Sequence, residues 1–202
     1  MVRLVICGFL MLAITACSTT PGDAAFQSGH YPQAAELYEA GANMGDALAA
    51  RKLANLYNCR PGLPEDHQKA VYWYKKAIEL GDKSSNWPIG VIYRDGGGNV
   101  SRDYKMAAKY FSQGAKEEQH LSMYDLAGMY ADNLIEPPND VEGLKWMNIV
   151  STCAATFSEG NEGRQYILSD PKNVRKKLES RMTEQQKLTA AQLADQWMNS
   201  RN

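Results

Sequence analysis

One interval constrains this sequence more than any other feature. Leu53-Ala54-x-x-Tyr57 returns as Ile89-Gly90-x-x-Tyr93 and again as Leu126-Ala127-x-x-Tyr130, with the tyrosines 36 and 37 residues apart. A second anchor runs through Leu37, Trp73, Tyr110 and Trp146 at steps of 36, 37 and 36. Self-similarity at a period of about 20–50 residues is the mark of a repeat solenoid, in which each unit buries its apolar face only against its neighbours. A chain built this way must stack, and its function is expected to reside in the surface that the stack presents.

Each unit reads as two helices. In the first complete unit, helix A covers Ala47–Asn58, a loop rich in Pro and Gly follows, and helix B starts after Asp66 and runs to about Leu80. Asp66, Asp103 and Asp140 recur 37 residues apart. Each is expected to cap a helix B, because a carboxylate there accepts bonds from unpaired backbone N–H groups at the positive helix end. Gly45-Asp46 and Gly81-Asp82 close the helix B segments. Gly permits the left-handed turn and Asp starts the next helix. Glu118-Gln119 replaces Gly-Asp at the third boundary, which predicts a shifted or more helical junction. Pro88 lies inside the second helix A, and proline is tolerated only in a first turn. That helix is expected to start late, capped by Ser84 or Ser85.

Gly45-Asp46-Ala47-x-Ala49-x-x-x-Leu53-Ala54-x-x-Tyr57, the loop, and Asp66-x-x-Lys69-Ala70-x-x-Trp73-Tyr74-x-Lys76-Ala77-x-x-x-Gly81 resemble a complete Sel-one-like repeat, a longer-looped relative of the tetratricopeptide repeat. The second copy keeps Gly90, Tyr93, Asp103, Ala107, Tyr110 and Phe111. The third keeps Leu126, Ala127, Tyr130, Asp140 and Trp146 but lengthens its loop at Ile135–Pro138. The resemblance implies an all-α, right-handed helix-turn-helix solenoid over residues 23–155, with a truncated unit at 23–45 and full units at 46–81, 82–118 and 119–155. Residues 156–202 read as capping helices. Ser169-Asp170-Pro171 starts one, with Val174 and Leu178 on one face. Thr183-Glu184-Gln185-Gln186 is a capping box that opens another, with Leu188, Ala191, Ala194, Trp197 and Met198 on one stripe.

The amino terminus reads as a targeting segment. Arg3 precedes the apolar stretch Leu4–Ala16, which is too short to span a bilayer. Ile14-Thr15-Ala16-Cys17 resembles the lipobox of bacterial lipoproteins, which implies a signal peptide at 1–16 and acylation of Cys17. Ser18 resembles the pattern sorted to the outer membrane, so a lipid-anchored protein on its periplasmic face is expected. Residues 17–22 would then be a tether reaching about 20 Å at full extension. Of the remaining cysteines, Cys59 and Cys153 fall at opposite rims of the repeat scheme, beyond the ~7 Å that a disulfide allows. Two separate, largely buried thiols are expected.

The residues offer no active site. His30, His67 and His120 occupy unrelated repeat positions without metal-ligand spacing, and His67 reads as a solvated first-turn residue. Gly96-Gly97-Gly98 lacks the Lys-Ser/Thr of a phosphate loop and reads as a flexible A–B connection. With a formal net charge of −1 the chain has no basic balance to favour nucleic acid. No enzymatic activity, cofactor or metal is expected. A remote alternative, an envelope hydrolase, would need convergent acids or a nucleophile.

Positions that break the repeat carry the partner expectation. On helix A, residues at i, i+3 and i+7 vary between units: Leu48, Arg51, Asn55; Ser84, Trp87, Val91; and Leu121, Tyr124, Gly128. In tetratricopeptide-like solenoids the A helices line the concave surface, so Arg51, Asn55, Trp87, Val91, Leu121 and Tyr124 are expected to form one protein-binding stripe. Arg, Trp and Tyr are enriched at interface hot spots. The alternative is that Trp87 and Tyr124 pack between A helices. Their replacement by Ala separates the two, since a binding residue should leave the melting temperature nearly unchanged. Lipoproteins of the resembling family include assembly scaffolds for envelope or export machines. They also include immunity proteins that capture a toxic phospholipase of a type VI secretion system. Both roles are carried forward as expectations.

Overall fold

The computed structural model describes residues 20–58, 63–154, 162–167 and 169–201. Among these, regular structure is helical apart from one isolated bridge between Gly97 and Val100. Helices α1 (Gly22–Gln27) and α2 (Tyr31–Asn43) form a truncated leading hairpin. Three full hairpins follow: α3 (Ala47–Asn58) with α4 (His67–Glu79), α5 (Asn86–Asp95) with α6 (Tyr104–Lys116), and α7 (His120–Ala131) with α8 (Asp140–Ala154). Each hairpin packs on the next. The end of the stack is closed by α9 (Glu162–Ile167), α10 (Pro171–Glu179) and α11 (Glu184–Asn199), which lie against α7 and α8.

The repeat is built on its B helices. Tyr38, Tyr74, Phe111 and Met147 occupy one register and are all essentially inaccessible. Tyr38 and Phe111 each face a glycine of their own A helix, which explains why that position is held small there. A Cβ added at Gly90 would stand 2.5 Å from the Phe111 ring, and one at Gly22 would stand 2.5 Å from Tyr38. Trp73, Tyr110 and Trp146 are also buried. Tyr57, Tyr93 and Tyr130, the recurring tyrosines of the A helices, are half-buried. Their rings pack inward, Tyr93 stacking on Tyr110 with centroids 5.9 Å apart, while a phenol tolerates one wet end. Burial falls into two contiguous clusters, one from α1 to α5 with Tyr110 and one from α6 to α11. Such nearest-neighbour burial is what a solenoid requires.

Helix ends follow the expected chemistry with three corrections. Asp66 and Asp103 accept the N–H groups of Lys69 and Met106 at 3.0 and 2.9 Å. In the third unit the cap is Asn139, which accepts from Glu142 at 3.0 Å. Asp140 lies one residue inside and instead pairs with Arg181 at 2.5 Å. The Arg181 guanidinium also donates to the carbonyls of Tyr130 and Ala131, so it closes the end of α7. At the third junction Glu118 adopts φ 62°, the conformation held by Gly45 and Gly81 elsewhere. The turn is therefore not shifted; a non-glycine residue bears it. The second helix A does start late, after a 3-10 turn at Lys83–Ser85 that places Pro88 in the first turn of α5. Neither serine caps it, because both hydroxyls donate to Asp82.

Asp170 and Pro171 start α10 as expected, and the Thr183–Gln186 capping box opens α11. The buried face of α11 runs through Ala190 and Ala194 to Trp197, whose ring meets Trp146 edge-on at 5.8 Å. Leu188, placed on that stripe by periodicity, is 53% exposed. Nor is the triple-glycine loop free. Gly97 and Val100 exchange two backbone bonds, and the Gly97 carbonyl meets His67 Nδ1 at 2.8 Å. His67 is buried, with Nε2 2.7 Å from Glu65, and Asn99 bonds to Asp66 and Gln68. The loop of one repeat is latched onto the first turn of the preceding helix B.

Candidate protein-binding face

Among the A helices, α5 lies against α7, and α3 reaches the start of the next repeat through Arg51 and Asp82. Along the A-helix face the variable positions divide into two environments.

At the α3 end the face is open. Asn55 is exposed, and its side-chain oxygen accepts from the buried Tyr74 hydroxyl at 2.5 Å. Arg51 is half-buried, its Nε 3.0 Å from the Asp82 carboxylate at the start of the next repeat. A shallow depression beside them is lined by Asp23, Phe26, Gln27, Tyr38, Lys52 and Asn55. Its floor is a polar corner, where Asp23 receives Lys52 at 2.6 Å, the Tyr38 hydroxyl at 2.8 Å and both donors of Thr20. Burial pushes the Asp23 carboxyl up, but these four bonds outweigh it and hold the group at about 2. Burial, together with the bond to Asp23, pushes the Tyr38 phenol upward.

At the α5–α7 end the face is covered. Trp87, Val91 and Leu121 are half-buried and Tyr124 is buried, all within or against the C-terminal core cluster. Beneath them is Asp125, whose side chain is only 5% exposed. Three donors converge on it, two from α5 and one from α9: Trp87 Nε1 at 2.7 Å, Arg94 Nη1 at 2.6 Å and the Tyr166 hydroxyl at 2.8 Å. The Tyr166 ring, brought by α9, meets Trp87 and Tyr124 edge-on at 6.1 and 5.6 Å. Desolvation pushes the Asp125 carboxyl up despite the pull of Arg94, Trp87 and Tyr166 in the other direction. The Arg94 guanidinium is raised, first by its bonds to Asp95 and then by Asp125, with desolvation opposing. Tyr166 is pushed up to about 12, by burial first and by Asp125 second.

Asp125, Arg94 and Tyr166 were absent from the stripe read from sequence. Asp125 had a legible signal: it is the one charge in α7, a helix otherwise apolar on nearly all sides, and such helices are buried. Tyr166 had none, since it lies outside the repeat period. The packing also corrects one expectation. Tyr124→Ala and Trp87→Ala will not leave stability unchanged, because both rings support the cluster around Asp125. Cys17 and Cys59 lie outside the described residues. Cys153 is half-buried, and burial pushes its thiol up. Among the described residues no group of His, Cys, Asp or Glu is placed to hold a metal ion, and no helix is long and apolar enough to cross a membrane.

Stacked helix hairpins with a fixed buried register and a variable A-helix face define a tetratricopeptide-like solenoid. The Sel1 repeat matches residues 29–46, 47–82, 89–118 and 120–149, more than half of the chain, and the protein belongs to that family. Sel1 repeats generally mediate contacts between proteins. A stretch of 96 residues, 47% of the chain, is 32% identical to the ERAD-associated E3 ubiquitin-protein ligase component HRD3B of Arabidopsis thaliana, but spans only 15% of that protein. Among solved structures, the chain is similar to a Sel1 repeat protein from Oxalobacter formigenes at 22% identity and TM-score 0.58, covering 87% of this chain and 73% of that one. A shallower likeness, at 17% identity and TM-score 0.30, is to immunity protein Pa5087 from Pseudomonas aeruginosa, covering 87% and 81%. The first is a likeness of fold; the second carries no argument.

Proposed function

We propose that this chain is a non-enzymatic, protein-binding solenoid held at the periplasmic face of the bacterial outer membrane by a lipid on Cys17. Its partner, in this reading, is a secreted envelope toxin that it neutralises, a type VI phospholipase effector being the model case. The observation that carries the binding role is the A-helix face. Its buried register repeats from unit to unit, whereas its variable positions do not, and of these Arg51 and Asn55 stand at the open end. A surface maintained by a repeated core and varied in its outward residues is suited to one specific partner. The anchor rests on the Ile14–Cys17 pattern, and the toxin reading on the economy of a short array tethered where a phospholipase would act.

Two experiments test this. Metabolic labelling with a palmitate analogue should mark the wild-type chain and not Cys17→Ser, and equal labelling would remove the anchor. Co-expression with envelope phospholipase effectors encoded beside this chain should restore growth and yield a complex. Growth arrest with no complex would remove the immunity role and leave assembly scaffolding as the alternative.

A further inference from the structure

Tyr166 is placed as a ligand rather than as a core residue. Its hydroxyl bonds to a nearly inaccessible carboxylate, its ring is clasped edge-on by Trp87 and Tyr124, and yet the residue keeps 37% of its surface exposed. It arrives on a six-residue helix outside the repeats, and it caps the end of the A-helix face on which Trp87 and Tyr124 stand. The receiving side is a built site. Asp125 is oriented by Trp87 Nε1 and Arg94 before Tyr166 adds its bond, and Arg94 is itself held by two bonds to Asp95. A ring slot with a buried acceptor at its base selects a phenol over a plain ring. With the hydroxyl missing, Asp125 loses an acceptor bond in a dry site.

We infer that Trp87, Arg94, Tyr124 and Asp125 form a tyrosine-recognition site on the A-helix face, filled in the free chain by its own Tyr166 and open to a tyrosine-bearing segment of a protein partner once Tyr166 leaves. The inference rests on the A-helix face being the binding surface. Its test needs no partner, so it fails or succeeds independently of the co-expression experiment. An intramolecular occupant competes at an effective concentration of order millimolar or above. Self-occupancy therefore weakens any external tyrosine by at least about tenfold.

The probe is N-acetyl-L-tyrosinamide, titrated into wild type and Tyr166→Ala. The readout is the indole N–H resonance of Trp87, assigned with Trp87→Phe. Tyr166→Ala should bind the probe saturably and at least tenfold tighter than wild type, and the phenylalanine analogue should bind at least fivefold more weakly. Equal binding by wild type, no binding by folded Tyr166→Ala, or equal binding of the phenylalanine analogue would each overturn the proposal. Tyr166→Val replaces Tyr166→Ala if the latter does not fold. If neither folds, Tyr166 is a core residue and the proposal falls.

Discussion

The two ends of the A-helix face use the same helix register for opposite purposes. At the α3 end, Asn55 is exposed and Arg51 half-buried against Asp82, and Asp23 in the adjoining depression is satisfied within its own corner. At the α5–α7 end, Trp87 and Tyr124 occupy the equivalent positions, but a residue from beyond the repeats sits on them and shares a buried carboxylate with them. The comparison teaches that a variable position in a repeat is not automatically a free one. Whether it belongs to the core or to a partner is decided by what the chain outside the repeats does with it.

The sharpest way to break that comparison is to strip the covered end. Tyr124→Ala removes a buried ring and should cost about 3–5 kcal/mol in urea unfolding, whereas an effect under about 1 kcal/mol would place Tyr124 on an open surface. Asp125→Ala should cost roughly 3 kcal/mol, because it leaves Arg94 and the Trp87 indole without their buried acceptor. Asp125→Asn should cost less, since an amide oxygen still accepts.

Acid separates the ends by sign. Asp23 is held at about 2, below its unfolded value of 3.8, so the folded chain binds that proton less readily. Its stabilising contribution is full above about pH 4 and is lost as pH falls from about 4 toward 2. Asp125 is raised, so its protonation opposes acid unfolding instead. Thermal melts between pH 5 and 2.5 should therefore show a component that Asp23→Asn removes. An unchanged pH profile in that variant would contradict the assignment. The smallest effect belongs to the open end. Arg51→Ala loses one partly exposed ion pair and should shift stability by less than about 1 kcal/mol.

Much of the scaffold was legible before the structure. The 36–37-residue period fixed the hairpins, α3 ends where the pattern placed it, and Asp66, Asp103 and the Thr183–Gln186 box cap as their chemistry demands. Local signals failed where a distant residue changed the local answer. Asp140 gave up its cap to Asn139 and took Arg181 as partner, from 41 residues away. Glu118 accepts a left-handed backbone that glycine would take more easily, and its carboxylate pairs with Arg201. The glycine loop is ordered by His67, which sequence treats as an unremarkable first-turn residue. At the candidate site the same limit applied: Trp87 and Tyr124 were visible as variable aromatics, whereas the group that covers them comes from a stretch with no period.

The most direct test of the binding account is capture from solubilised envelopes of the producing cell, with wild type set against two surface variants. Arg51→Glu combined with Asn55→Arg alters the open end of the A-helix face. Tyr72→Ala alters the opposite, B-helix side, where Tyr72 on α4 is 61% exposed. One partner should be retained in equal yield by wild type and Tyr72→Ala and lost by the double variant while that variant remains folded. Retention by the double variant together with loss by Tyr72→Ala would contradict the binding account.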